Sequence, residues 1–257
     1  MRKKRVINSL INIGSYEKFI KSIIKLSEDV PSSYICVSNV HMIIEAYKDK
    51  LFSNIVNNAN IATPDGMPIA KSIQLIYGIN QDRVAGMDLM PDLMKECKKS
   101  HKKIFLYGST DDILKKIIEK SKKEFPNLKI DGFSPPFREL TGEEKSHIVQ
   151  IINSQNPDFV FVALGCPKQE RWMAEHKNKI NSCMIGLGGA FEVYANVKHR
   201  APLWMQKYSL EWLYRLLQDP KRLWKRYLIT NTLFLILIFS QFITIRILKI
   251  NAKSSSI

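Results

Sequence analysis

Residues 33–66 read SYICVSNVHMIIEAYKDKLFSNIVNNANIATPDG, a stretch in which two short apolar runs flank a longer segment of different periodicity. The runs at 33–39 and 59–65 have the length and apolar content of buried strands. Between them, residues 40–58 carry apolar side chains at three- and four-residue spacing, which predicts one amphipathic helix. A strand, a helix and a second strand in this order form the repeating unit of a parallel sheet.

The same alternation continues along the chain. Further strands are predicted at 102–110, 157–165 and 182–189, and further helices at 86–102, 109–125 and 142–156. We therefore predict the α/β class, with a doubly wound, Rossmann-like parallel sheet flanked by helices. In such folds, ligands bind at the carboxyl ends of the strands.

Composition narrows the class of protein. A chain of 257 residues with 45% hydrophobic residues can bury a large core, which argues against disorder. Its net charge of +15 indicates an anionic partner, which could be nucleic acid, phospholipid head groups or a phosphorylated substrate. Four dispersed cysteines disfavour disulfides and structural zinc, and the basic N-terminus leads into no apolar run typical of a secretory signal.

Three predicted strand-to-helix junctions carry glycine. They contain Gly108, Gly165 and the pair Gly188 and Gly189, and such turns can present backbone amides to phosphate at a helix N-terminus. Glycine is also ordinary turn chemistry, so each junction alone is a weak indication. The dinucleotide-binding fingerprint is absent here, because its third glycine would fall on Phe191. A nicotinamide-dependent dehydrogenase is therefore disfavoured.

The segment IATPDGMPIA at 61–70 contains an acidic residue, Asp65, at a predicted strand end. Pro-Asp-Gly is common turn chemistry, so Asp65 is either a turn residue or a working carboxylate. Ser38 and Asn39 close the preceding strand and are predicted to face the same crevice. Asn39 could orient a hydroxyl or amide group of a ligand there.

Residues 198–227 differ sharply from the rest of the chain. They hold eight Lys or Arg against two acidic residues, with three interleaved tryptophans. Pro220 is predicted to start a fresh helix, on which Arg222 and Arg226 share a face. This segment is either a solvated basic helix or an anion-binding site, and basic residues among aromatics can also stack on bases.

Residues 228–245 hold no charged side chain. As a helix they would extend roughly 27 Å, slightly less than the hydrocarbon thickness of a bilayer. Basic residues flank both ends, which favours a helix lying in the cytoplasmic leaflet over one that spans it. A helix packed on the domain is the alternative. We thus divide the chain into an α/β core at 1–196, a basic helical tail at 197–227 that closes the active site, and a membrane-associating segment at 228–257.

Seven motifs in order carry a resemblance to a known family. They are SNVHMIIEA (38–46), TPDGMP (63–68), RVAGMDLMPDL (83–93), LYGS (106–109), LGCPKQERWM (164–173), GLGGAFEVYAN (186–196) and RAPLWMQKYSLEWLYRLLQDPKRLWKRYL (200–228). Together they resemble the bacterial WecG/TagA/CpsF glycosyltransferases across about residues 5–230. The resemblance implies the Rossmann-like fold termed GT-E and an inverting transfer of sugar. The donor would be a UDP-sugar, most commonly of N-acetylmannosamine, and the acceptor a sugar on polyprenyl diphosphate. The family's usual products are teichoic acid linkage units, enterobacterial common antigen, capsules and exopolysaccharides.

The resemblance also implies roles for particular residues. Asp65 would be the general base, and the arginines of the tail would stabilise the departing diphosphate together with the glycine-bearing helix N-termini. These arginines are Arg215, Arg222 and Arg226. Gln169 and Glu170 would contact the donor or fix their loop. Val37 replaces a threonine that is frequent in the family, so a hydroxyl contact there is in doubt, although Ser38 could partly replace it.

The chain has no Asp-x-Asp triplet, so we expect neither a metal nor an organic cofactor. We expect the protein at the cytoplasmic face of the bacterial membrane, as a peripheral or monotopic protein, and leave a homo-oligomer open. Three alternatives remain: a donor such as UDP-glucose or a uronic acid, a nucleic-acid-binding module, and a membrane adaptor. Nucleic acid is not the expected partner because no recognised nucleic-acid motif is present and Asp65 would have no role.

Overall fold

In the computed structural model, residues 1–248 are described, except for the side chains of Lys207, Arg222 and Arg226. The strands are β1 Lys3–Val6, β2 Ser9–Asn12, β3 Ser33–Ser38, β4 Ile61–Pro64, β5 Lys103–Gly108, β6 Lys129–Phe133, β7 Phe159–Ala163 and β8 Cys183–Gly186. The first six helices are α1 Tyr16–Asp29, α2 Val40–Lys48, α3 Lys50–Asn57, α4 Met67–Tyr77, α5 Gly86–Lys99 and α6 Asp111–Glu124. The later helices are α7 Gly142–Gln155, α8 Lys168–His176, α9 Ala190–Tyr194, α10 Leu203–Lys207, α11 Glu211–Gln218 and α12 Pro220–Phe242, with a π-helical turn at Ile243–Ile247.

Six strands form one parallel sheet in the order β4-β3-β8-β7-β5-β6. The predicted α/β class and parallel sheet are confirmed, and each of the five predicted strands is present. The edge strand β6 was not predicted, because KIDGF has an Asp and a Gly and is only half-buried. The antiparallel hairpin of β1 and β2 was not predicted either.

Helices cover both faces of the sheet. In β3, Tyr34 and Cys36 face one hydrophobic core, while Ile35 and Val37 face the other. The same two-residue alternation holds in β5, as expected for a strand buried on both sides. In this architecture, ligands bind in the crevice at the carboxyl ends of the strands.

The helix predicted over 40–58 is two helices, α2 and α3, with a break at Asp49. The Asp49 backbone is extended, and its carboxylate accepts hydrogen bonds from the N–H groups of Leu51 at 2.8 Å and Phe52 at 3.1 Å. A side chain that caps the next helix stabilises this break. The apolar periodicity continues across it, which is why one helix was predicted.

The last helix, α12, packs against α2 and α4. Phe234 and Ile238 are buried in the same core cluster as α2. Gln241 accepts from the Ile7 N–H at 2.9 Å and donates to the Arg5 carbonyl at 3.0 Å. Because α12 runs through the expected boundary between 227 and 228, the basic tail and the apolar segment are continuous. The part of that segment at 249–257 lies outside the described residues.

Candidate active site

Asp65 lies at the carboxyl edge of the sheet, directly after β4. Its backbone N–H donates to the carbonyl of Ser38, the last residue of the neighbouring strand β3, at 3.0 Å. Parallel pairing of β3 with β4 therefore brings two chain segments together at one point of the crevice. The Ser38 side chain is fully buried, with its hydroxyl 3.5 Å from the Cys36 carbonyl, so Ser38 meets the crevice through its backbone.

Asn39 links helix α2 to Asp65. Its Oδ1 accepts from the Met42 N–H at 3.1 Å and caps the helix, while its side chain also hydrogen-bonds the Asp65 carboxylate. Capping fixes the orientation of the Asn39 amide. The structure thus brings Asn39 and Asp65 together in one crevice, and the predicted contact of Asn39 with a substrate stays a prediction.

The surroundings of Asp65 raise its pKa to about 7. Burial is the largest cause, because desolvation disfavours the charged carboxylate. Arg215 opposes this effect, Glu211 adds to it, and Arg83 and the Asn39 hydrogen bond lower the pKa again. Asp65 nevertheless retains some exposure to solvent. A carboxyl group with this pKa can accept a proton near neutral pH, which a turn residue would not require.

A network of charged side chains joins the basic tail to the core beside Asp65. Arg83 contacts Glu211 at 3.1 Å, Asp88 at 2.8 Å and Gln206 at 3.1 Å. Arg200 pairs with the other oxygen of Asp88 at 2.6 Å. The tail therefore docks onto the loop before α5 and onto its first turn. All five residues fall within the quoted motifs, but nothing in the local sequence indicates that they contact one another.

Arg215 lies in this network, 3.4 Å from Glu211, and its positive charge lowers the pKa of Asp65. The structure thus brings together Asp65, Asn39 and Arg215 among the predicted site residues. Arg222 and Arg226 occupy the first turns of α12, but their side chains lie outside the described residues. Their predicted contact with diphosphate stays a prediction.

The glycine junctions differ in what they require. Gly108 has a φ of 101°, and a Cβ there would lie 2.6 Å from the Ala163 carbonyl oxygen. The close packing between β5 and β7 is therefore sufficient to explain this glycine, without a ligand. Gly165 has a φ of 78° with open space beside it, which leaves its backbone accessible to a ligand. Gly188 packs on Gln169, and Gly189 precedes α9, a helix of only five residues.

Gln169 and Glu170 lie inside the protein. Glu170 is 0% exposed and accepts a hydrogen bond from the Gln169 amide at 2.7 Å. Burial raises the pKa of Glu170 to about 7, against the hydrogen bonds from Gln169 and Cys166. A Cβ on Gly186 would lie 2.8 Å from the Gln169 amide nitrogen. Gln169 and Glu170 were expected either to contact the donor or to fix their loop, and this packing favours the second role.

Known proteins are similar to this chain over most of its length. The family described as Glycosyl transferase WecG/TagA/CpsF matches residues 4–247. A protein of Bacillus subtilis (strain 168) named N-acetylglucosaminyldiphosphoundecaprenol N-acetyl-beta-D-mannosaminyltransferase is 36% identical over 195 residues, which cover 76% of this chain and 74% of that protein.

Proteins of the same name from two further organisms are also similar. The one from Bacillus spizizenii (strain ATCC 23059 / NRRL B-14472 / W23) is 32% identical over 76% of this chain and 75% of its own length. The one from Staphylococcus aureus (strain MW2) is 30% identical over 74% of each chain. Family match, fold and order of motifs agree, and the chain belongs to the WecG/TagA/CpsF family of glycosyltransferases.

Proposed function

We propose that this protein transfers N-acetylmannosamine from a UDP-sugar to N-acetylglucosamine carried on polyprenyl diphosphate, with inversion at the anomeric carbon. The names of the similar proteins support this sugar and this acceptor. The observation that carries the proposal is the placement of Asp65 at the carboxyl ends of the strands, largely desolvated, with its pKa raised to about 7, and within electrostatic reach of Arg83 and Arg215. That arrangement provides a base for the acceptor and positive charge for the leaving group.

Asp65 would take the proton of the acceptor hydroxyl as its oxygen attacks the anomeric carbon of the donor. The bond from that carbon to the UDP oxygen breaks at the same time, and UDP departs with the electron pair. Attack opposite to the leaving group inverts the configuration. Asn39 would hold the Asp65 carboxylate in place by the hydrogen bond between them. General base catalysis of this kind contributes about 10²–10⁴-fold to a rate.

The negative charge that develops on UDP needs a preorganised positive partner. Arg215 is a tail arginine whose positive charge acts on Asp65, and its planar group suits diphosphate oxygens. In this proposal, residues 197–227 act as the part of the chain that closes the active site over the core. Arg222 and Arg226 would add to the positive charge.

Transfer is expected to survive chelation of divalent ions. The chain has no Asp-x-Asp triplet, and across residues 1–248 no group of three His, Cys, Asp or Glu side chains is arranged to hold a metal ion. The test compares initial rates with and without EDTA. Complete loss in EDTA that magnesium or manganese restores would contradict the assignment of leaving-group stabilisation to arginine.

A panel of donors tests the proposed sugar. Purified protein would be incubated with UDP-N-acetylmannosamine, UDP-glucose and a UDP-uronic acid, each with a short-chain N-acetylglucosamine diphosphate lipid. We expect the mass of the product to increase by one N-acetylhexosamine, and only with the first donor. A product from UDP-glucose or the uronic acid would establish the alternative donors named above.

We also propose that α12 rests on the cytoplasmic leaflet. The helical stretch Leu223–Ile247 is long and apolar enough to cross a membrane, with a mean hydropathy of 2.0. One side of α12 packs on the core through Phe234 and Ile238. At about 100° per residue, the exposed apolar residues lie on the opposite side. They are Trp224, Leu228, Ile229, Leu235, Ile236 and Phe239.

The chemistry of this exposed face suits a membrane interface. Lys221 and Lys225 are exposed at its N-terminal end, where they can contact anionic head groups. Trp224 lies beside them, and the apolar side chains follow. A helix held on the core by one side and on lipid by the other would bring the active site to an acceptor whose polyprenyl chain stays in the bilayer.

Changing Leu235 and Phe239 together to Gln is expected to release the protein into the soluble fraction. These side chains are 67% and 63% exposed, so the folded core does not depend on them. Activity on a membrane-embedded acceptor should fall roughly tenfold, as expected for losing apolar burial of this size. Activity on a detergent-soluble, short-chain acceptor should not change.

The matched control changes Leu51 and Phe137, which are at least as exposed but lie outside α12, to Gln. Membrane association should persist in that variant. If the α12 variant stays on the membrane to the same extent as the control, this face is not the docking surface.

A further inference from the structure

Glu211, the first residue of α11, bridges two arginines from different parts of the chain. One of its carboxylate oxygens is 3.1 Å from Nη1 of Arg83, and the other is 3.4 Å from Nη2 of Arg215. The Glu211 side chain is only 19% exposed. Such a carboxylate between two guanidinium groups uses the same contacts that arginine makes with phosphate oxygens.

The arginines of the charged network beside Asp65 are already paired with carboxylates. Three guanidinium groups, of Arg83, Arg200 and Arg215, contact two carboxylates, of Asp88 and Glu211. Asp88 pairs with both Arg83 and Arg200. A diphosphate that approaches Arg83 and Arg215 would therefore meet a negative charge already in contact with them.

We propose that Glu211 occupies, in the unliganded protein, the position of a diphosphate oxygen between Arg83 and Arg215, and that the donor displaces it. This inference rests on the proposed function, because it takes these two arginines as the diphosphate site. Glu211 thereby keeps the arginines paired in the absence of donor. It also sets the affinity for UDP, since the diphosphate competes with an internal anion.

The docking of the tail does not depend on Glu211. Arg200 holds Asp88 at 2.6 Å, and Gln206 accepts from Arg83 at 3.1 Å while it donates to the Ala201 carbonyl at 2.7 Å. These contacts stay when the Glu211 carboxylate rotates away about its own side-chain torsions. Displacement therefore requires a change of rotamer, and the α11 backbone can stay in place.

Glu211→Gln tests the proposal, because it retains the size of the side chain and removes its charge. UDP binding to the full-length protein in detergent would be measured by calorimetry at fixed ionic strength. We expect the variant to bind UDP about tenfold more tightly or better, because like charges juxtaposed at a binding site cost at least this much. The KM for the UDP-sugar should fall in parallel.

Glu175→Gln is the matched control. Glu175 lies on α8 and forms an exposed pair with Lys145 of α7, so this variant changes the net charge by the same amount as Glu211→Gln. Its affinity for UDP should stay within about twofold of the parent, as is normal for surface charges. Equal or weaker binding of UDP by Glu211→Gln would show that Glu211 positions the arginines for the donor, and would overturn the proposal.

A second variant, Glu211→Asp, keeps the charge but is one methylene shorter and does not reach both arginines. Because it retains the negative charge, its affinity for UDP should lie between those of the parent and Glu211→Gln. If neither variant unfolds cooperatively on heating, Glu211 is required for the folded state and the proposal is wrong. A parent protein that neither binds UDP nor transfers sugar would contradict the proposed function itself, whereas an active parent with no tightening in the variants contradicts only this inference.

Discussion

Replacing Asp65 with Asn is expected to lower turnover by a hundredfold or more, the magnitude of losing a general base. Asn has the same shape but cannot accept the proton of the acceptor hydroxyl. Because the arginines that would hold the diphosphate are unchanged, the affinity for UDP should remain nearly that of the parent. Initial rates with a short-chain lipid acceptor, and calorimetry with UDP, measure the two effects separately.

The pH dependence gives Asp65→Asn a second readout. The pKa of Asp65 in the unliganded protein is raised to about 7, and only the ionised form accepts a proton, so the parent's kcat/KM should rise with pH up to about 7 and then level off. The variant should lose this rise. The control is Asp112→Asn, which changes an acid in the first turn of α6. Near-normal turnover in Asp65→Asn would return Asp65 to the role of a turn residue.

Stability separates lost chemistry from lost folding. Because the pKa of Asp65 in the folded protein is above that of an unfolded aspartate, its contribution to stability is fully present below about pH 4 and is lost as the pH rises through about 7. Above pH 7 the parent carries a desolvated charge that Asn lacks. Asp65→Asn should therefore melt at least as high as the parent at pH 8, and a lower melting temperature would point to a structural role.

Arg215→Met is expected to lower kcat/KM by about 10²–10³-fold, the loss typical of removing one preorganised group that stabilises a developing charge. Methionine keeps much of the apolar length of arginine but cannot neutralise the departing UDP. Arg215 contacts Glu211 within its own helix and Met87 of α5 at 3.5 Å, whereas the docking contacts of Arg83 and Arg200 with Asp88 do not involve it. Rates with saturating acceptor and varied donor measure the effect.

Two further variants define the role of Arg215. Arg215→Lys keeps the charge but loses the planar fork, so its activity should lie between those of the parent and Arg215→Met. Lys145→Met removes an exposed positive charge that pairs with Glu175 and should leave kcat/KM unchanged. If Arg215→Met retains full activity, Arg215 is merely a solvated residue of the tail.

Local patterns predicted the α/β class because strand and helix periodicities are written in neighbouring residues. The runs that became β3, β5, β7 and β8 are apolar on both faces, as a sheet covered on both sides requires. Periodicity did not predict the elements whose structure depends on their position in the fold or on a single side chain. An edge strand such as β6 need not be apolar, and the break at Asp49 depends on one capping side chain within a continuous apolar pattern.

The chain order of strands and motifs by itself determined that Asp65 and Asn39 follow strands of one parallel sheet, because both stand at strand ends. Only the tertiary structure decided what surrounds them. Arg83 and Glu211 are 128 residues apart, and their contact exists because the tail folds back over the carboxyl edge of β3 and β4. Periodicity indicates which face of an element is buried, but it does not indicate which charged residue from a distant part of the chain contacts that element. The pKa of Asp65 and the pairing of Arg83 and Arg215 with Glu211 are therefore properties of the folded chain alone.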